Sequence, residues 1–365
     1  MKKRTTALLL SVITAVTLAG CGSSESTTES TSEASVSLSA SSTSTESAAV
    51  ETTSSSSASE SVVTSSSSSS GETVEEGEVI KANENYNITL IVKNLTNPMW
   101  TALKEGAQDA ADAAGVTLTV LAPSTDDNNE QQISEIEQSI AKGEDAIVLV
   151  PADGTGIVPG VKEANEAGIP IIDVNTEIDT SSGAEYVTFV GVDNYTAACE
   201  VAETLAEMMD YEGDVIILEG KAGASSSVDI VNGANDTFAK YDGINVVASQ
   251  TADWSRDEAY TVTTNLLQSN PDCKAIFAAN DEMAMGALKS VQAAGKTDIL
   301  ISGLDANDDA KEAVDNGELA VTCDKNGYGQ GWCGVMAAVK ALNGETLADR
   351  IDVPTELYTK ESSEQ

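Results

Sequence analysis

Any chemistry in this chain has to be done without histidine, because none occurs among its 365 residues. That removes the commonest general base and the commonest transition-metal ligand together. Cysteine offers little in exchange. The five are Cys21, Cys199, Cys273, Cys323 and Cys333, and no two have the Cys-x-x-Cys spacing of a zinc or redox site. Cys199 and Cys273 lie in apolar stretches and read as core thiols. No nucleophile elbow is present, and no pair of carboxylates is marked out as acid and base. The chain reads as a non-enzyme that needs neither metal nor cofactor.

The side chains that remain suit holding a polar solute unchanged. An indole can cover a C–H face, while amides and carboxylates take hydroxyls. Asn280 ends an apolar run just before Asp281-Glu282-Met283, where it could face a solute or cap a helix; in the first case Asp281 could do the capping. Asp305 follows Ile301-Ser302-Gly303 and could accept two hydroxyls, or serve as a hinge or cap residue. Trp100 begins an amphipathic stretch and would also fit a core, and Trp254 could be a half-buried loop anchor.

Residues of this kind need strand ends to stand on. Val- and Ile-rich runs recur at 88–92, 116–121, 146–150, 169–174, 187–191, 215–218, 244–248, 275–278, 299–303 and 319–323. Near-continuous apolar runs bounded by turn residues predict strands buried on both faces. Helix-length stretches lie between them. Trp100, Leu103, Ala107, Ala110, Ala111 and Ala114 share one helical face that Gly115 terminates, and 281–294 ends before Gly295. Sustained alternation predicts an α/β fold of parallel sheets with helices on both faces. About 280 residues exceed one comfortable core, so two doubly wound lobes are expected, with a cleft at the strands' carboxyl ends.

The formal net charge of −40 makes nucleic acid a poor partner and favours solubility. Met1-Lys2-Lys3-Arg4 and the apolar run to Val16 describe a signal peptide over residues 1–20. Its Leu18-Ala19-Gly20-Cys21 ending resembles the bacterial lipobox, which implies a lipid on Cys21. From Gly22 to about Gly71 the chain is almost all Ser, Thr, Glu and Ala, and the disordered tether is placed at 21–85. The expected location is the outer face of a cell membrane, held there by the lipid, and the long tether suggests a Gram-positive surface. In an exported protein a Cys323–Cys333 disulfide is open, with no geometry in the sequence to settle it.

ITLIVKNLTNPMW at 88–100, Leu103-Lys104-Glu105-Gly106-Ala107, Gly168-Ile169-Pro170, Val190-Gly191-Val192-Asp193-Asn194, Ala248-Ser249-Gln250, AIFAANDEMAMGAL at 275–288 and Gly303-Leu304-Asp305 occur in that order. Together they resemble the ribose- and galactose-binding family of type I periplasmic binding proteins, over essentially all of 86–361. The resemblance implies two lobes joined by a three-strand hinge. It puts crossings near Val192, Asp305 and Lys325, with one lobe at 86–192 plus 326–354 and the other at 193–325 plus 355–365. It further implies a monomeric receptor that captures a monosaccharide or sugar derivative for the permease subunits of an ABC importer. A sensor presenting its bound state to a membrane receptor is the alternative.

Carried over residue by residue, the ligand set is Lys93, Asn97, Met99, Trp100, Asn175, Thr176, Trp254, Asn280, Asp305 and Lys325. Met99 stands where the family has an aromatic, and Asn175-Thr176 where ribose binders carry Asp-Arg. A family arginine is replaced by Ile230 or its neighbour Val231, which removes a bidentate donor. Lys93 and Lys325 stand where ribose binders have Ser and Gln. They either replace lost donors, pair with Asp305, or select an anionic sugar such as a sugar acid.

Overall fold

The computed structural model describes residues 72–124 and 128–363. The signal peptide, Cys21 and the tether as far as Gly71 lie outside the described residues.

Five strands, β1 (Asn87–Ile91), β2 (Thr117–Leu121), β3 (Ala146–Leu149), β4 (Ile171–Val174) and β5 (Thr188–Gly191), build the first sheet with helices α1 (Pro98–Ala114), α2 (Asn129–Lys142) and α3 (Val158–Ala167) between them. The chain then leaves it. Helix α4 (Asn194–Met208), β6 (Gly213–Glu219), α5 (Ser225–Phe238), β7 (Ile244–Thr251), α6 (Arg256–Ser269), β8 (Cys273–Ala278), α7 (Asp281–Ala293), β9 (Leu300–Ser302), α8 (Asp308–Asp315) and β10 (Val321–Asp324) build the second lobe. Helix α9 (Gly327–Leu342) and β11 (Arg350–Asp352) return to the first sheet, and β12 (Glu356–Thr359) with α10 (Lys360–Ser363) end in the second. The sheet orders are β11-β5-β4-β3-β1-β2 and β12-β10-β9-β8-β6-β7. Every pairing is parallel except β10 with β12.

Strand periodicity decides which side chain goes where. Ile88, Leu90 and Val148 face α1 and α9, whereas Ile91, Ile147 and Leu149 face α2 and α3, so the first sheet is apolar on both sides. A third cluster, from Val215 to Phe277 and Cys323, forms the core of the second lobe. Helix α1 ends where Gly115 takes a left-handed φ of 85° and returns its N–H to Ala111. Helices α1 and α9 touch backbone to backbone: a Cβ on Gly331 would lie 1.9 Å from the Leu103 carbonyl oxygen, and one on Gly106 2.0 Å from that of Tyr328.

Two expectations need correction, and the disulfide left open is decided. The chain does not cross between lobes at Asp305, because β9 and β10 on either side of it both belong to the second sheet. The passages are β5 to α4, β10 to α9, and β11 to β12 across 353–355. Residues 72–85, assigned to the tether, form an ordered strap on the first lobe. Glu72 bridges to Leu347 and its carboxylate meets Lys340 at 2.7 Å, Val74 is buried, and the Trp332 indole donates to the Glu78 carbonyl at 3.0 Å. Cys323 and Cys333 lie in the cores of different lobes, and all four described cysteines are free.

Candidate functional site

The carboxyl ends of the strands converge on one cavity of about 440 Å³, counted with its open side, lined by Lys93, Asn97, Met99, Trp100, Asn175, Ser226, Trp254, Asn280, Asp305 and Lys325. Nine of the ten residues singled out from the sequence are in that lining. The tenth, Thr176, stands behind it, where its hydroxyl oxygen accepts from the Lys93 ammonium at 2.8 Å.

The first lobe supplies Lys93 from the loop after β1, Asn97, Met99 and Trp100 from the start of α1, and Asn175 from the end of β4. Asn94 shapes the loop, its side-chain oxygen accepting the backbone N–H of Thr96 and Asn97 at 2.7 and 2.8 Å. Asn97 then caps α1, accepting the Met99 N–H at 3.0 Å. The Lys93 ammonium sits 5.1 Å from the centroid of the Trp100 ring, within cation–π range. Asn175 adopts a left-handed φ of 70° and donates its amide to Gln330 at 3.0 Å. Gln330, fully buried on α9, donates in turn to the Lys325 carbonyl at 2.6 Å. One glutamine thereby couples a first-lobe cavity residue to the second crossing.

The second lobe supplies Ser226 from the start of α5, Trp254 after β7, Asn280 after β8 and Asp305 after β9. Asp253 and Trp254 both hold positive φ, 50° and 60°, which turns the indole over Gly220. A Cβ there would lie 2.0 Å from the ring, so the position admits only glycine. Asn280 is itself the cap of α7, accepting the Met283 N–H at 2.9 Å. Its NH₂ group is what it has left to donate. The idea that Asp281 does the capping is corrected: Asp281 is fully buried and instead accepts from the Thr322 hydroxyl and the Asn307 N–H, each at 2.7 Å.

The cavity lining carries two ammoniums, Lys93 and Lys325, and one carboxylate, Asp305. The Lys325 ammonium lies 3.1 Å from Asp305 Oδ1, and both side chains are more than nine-tenths buried. The approach is close enough for an ion pair but off the line of a hydrogen bond, so Oδ1 has no well-directed donor. Burial pushes the Asp305 carboxyl up, and Lys325 opposes the rise. Asp281 behind it is held well above the usual carboxylate range, by burial first and by the Asp305 charge second. Among the described residues no arginine lines the cavity; Ile230 is in the core and Val231 packs at its edge.

Ser226 and Gln330 were not foreseen. Ser226 lies in a run of three serines opening a helix, and only the turn of that helix selects it. Gln330, the fully buried polar residue in an otherwise small and apolar stretch of α9, could have been flagged on that ground.

The arrangement can stack two indoles on apolar faces and offer ammonium, amide, hydroxyl and carboxylate groups to a hydroxyl-rich molecule. Comparison with known proteins agrees in kind. Residues 88–346 match the model of the periplasmic binding protein domain. The ribose import binding protein RbsB of Escherichia coli K12 is 34% identical over 274 residues, 75% of this chain and 90% of that protein. The D-allose-binding periplasmic protein of the same organism is 34% identical over 258 residues, 69% and 83% of the two chains. These relatives are binding proteins, not enzymes. A solute-binding protein of an ABC transporter from Actinobacillus succinogenes, solved with D-allose, superposes with a TM-score of 0.74 at 35% identity, covering 77% of this chain and 99% of that one. Another from Bacillus halodurans, solved with myo-inositol, gives 0.71 at 31%, covering 77% and 96%. With its paired parallel sheets and its cavity at the strand ends, this chain belongs to the periplasmic binding protein family.

Proposed function

We propose that this protein captures a monosaccharide or closely related polyol between its lobes and delivers it, chemically unaltered, to the permease of an ABC importer. The observation that carries this reading is the cavity itself: two indoles, a capping amide and a buried carboxylate oxygen without a directed donor, brought together from both lobes. The Lys325 ammonium at 3.1 Å compensates the Asp305 charge, and a hydroxyl would add a directed donor to Oδ1. The ribose, D-allose and myo-inositol of the relatives' names and structures are all compact polyols. The lobes would open to admit the solute and close when it bridges them, shifting a population between two states. In this reading Cys21 carries a lipid that holds a monomeric receptor outside the cell, and 86–192 with 326–354 moves against 193–325 with 355–365.

A sugar acid is the second reading, favoured by the presence of both Lys93 and Lys325 in the lining. Against it, Asp305 already matches Lys325. Thermal shift and calorimetry with ribose, allose, galactose, myo-inositol, glucuronate and galacturonate decide between the two. A neutral member that binds, with the lobes drawing together in X-ray scattering and the affinity falling about 30-fold or more in Trp254→Ala, is the expected result. Selective binding of the acids would replace it with the second reading. Turnover of any compound, or no response to all six, would end the proposal.

A further inference from the structure

Asn175 and Ser226 border two hollows. Both residues also line an adjoining groove of about 790 Å³, counted with its open side, on the flank of the cleft where the first crossing passes. The groove's chemistry differs from the cavity's. Glu177, Asp193, Asp229 and Asp352 stand around it against a single cation, Arg350. That arginine is already committed: it pairs with Asp352 at 2.5 Å and donates to the Val192 carbonyl at 3.0 Å. Asn194, 6% exposed at the start of α4, also lines the groove, and its side-chain oxygen has no hydrogen-bond donor. Burial pushes the Asp229 carboxyl up, Asp193 and Glu177 push it further, and Arg350 opposes the rise. A metal is not the missing partner, since among the described residues no three carboxylates are grouped to hold one. The groove therefore carries more negative than positive charge, and it shares Asn175 and Ser226 with the proposed sugar cavity.

We propose that the natural ligand is a glycoside: its sugar ring occupies the cavity, and a donor-bearing substituent, best a cationic amine, passes between Asn175 and Ser226 into the groove. The inference rests on the proposed sugar-binding function and narrows it. The substituent's N–H groups would serve the Asn194 oxygen and the carboxylates around it.

Calorimetry on the full chain tests this with ribose, allose and galactose, and with the methyl and 2-aminoethyl glycosides of each in both anomeric forms. At least one 2-aminoethyl glycoside should bind about tenfold or more tightly than its methyl counterpart, about 1.4 kcal/mol. Asp229→Asn and Asn194→Leu should each shrink that ratio, and about 0.5 M salt should shrink it in the wild type. Parent sugars that bind while every glycoside is a hundredfold weaker would show the passage closed and overturn this inference alone. So would an aminoethyl-to-methyl ratio near one, or a ratio that both substitutions leave unmoved. Failure of parents and glycosides alike would instead remove the sugar-binding reading beneath it.

Discussion

Lys325 and Asp305 are both more than nine-tenths buried, so each charge depends on the other for its stability. Removing one partner from such a pair leaves an uncompensated buried ion, at a cost of about 3–5 kcal/mol. Asp305→Ala is expected to lose that much in urea unfolding. Asp305→Asn combined with Lys325→Met should recover most of it, because the pair then leaves together. A stability of the alanine variant within about 1 kcal/mol of wild type would mean that water reaches the pair. At the same scale, Asn280 and Asn97 show that capping a helix and lining a cavity are compatible duties of one amide, since the oxygen serves the helix and leaves the NH₂ group for other partners.

At the scale of elements, the α1–α9 seam and the strap are the features most open to test. The seam leaves no space at Gly331, whose missing side chain lets Leu103 of α1 approach. Gly331→Leu should force the helices apart and lower stability by about 3 kcal/mol or more, read as a fall in the urea midpoint; Gly344→Leu, in open space with a φ of 85°, carries only the local strain. The strap covers Cys333, whose thiol burial pushes up to about 12. Val74→Asp should loosen that cover and speed reaction of Cys333 with a thiol reagent, while Cys273 in the other lobe keeps its rate. Equal acceleration at both would indicate global unfolding instead.

These elements also show what a sequence can disclose. Ten strands were legible because short apolar runs, many rich in Val and Ile, recur where β1 to β10 form, and Gly115 marked the end of α1. Strands β11 and β12 were not, because Arg350–Asp352 and Glu356–Thr359 are short, largely polar edge strands. The strap was hidden for a related reason. Its glutamates continue the composition before it, and what orders it is Val74 and a row of backbone hydrogen bonds. The cavity lining was legible through the resemblance to the ribose- and galactose-binding family, but the hydrogen-bond allegiances were not. Nothing in the order of residues tells that Gln330 reaches Asn175, or that the chain turns back at Asp305 within its own lobe.

For the whole molecule, pH dependence is the most accessible consequence of buried acid. Asp173 at the end of β4 is fully buried, and burial holds its carboxyl well above the ordinary value of 3.8. The folded state therefore keeps a proton that the unfolded state releases first. Stability contributed by this group is present below 3.8 and is lost as pH rises from there through the raised folded value. Asp173→Asn, which can still accept the Ile178 N–H, should flatten that decline; the melting temperature measured against pH in both proteins checks it. An unchanged slope would mean that another carboxyl governs the window.

The strap fixes how force would travel through the protein. The described chain enters its fold at Glu72, moored along α9, and the other lobe is reached only through the three crossings. A load applied from the amino-terminal side would thus be borne by the first lobe, leaving the second to swing as the lighter arm. A fluorophore pair, one on α3 and one on α6, should report that swing without sensing how the molecule is held.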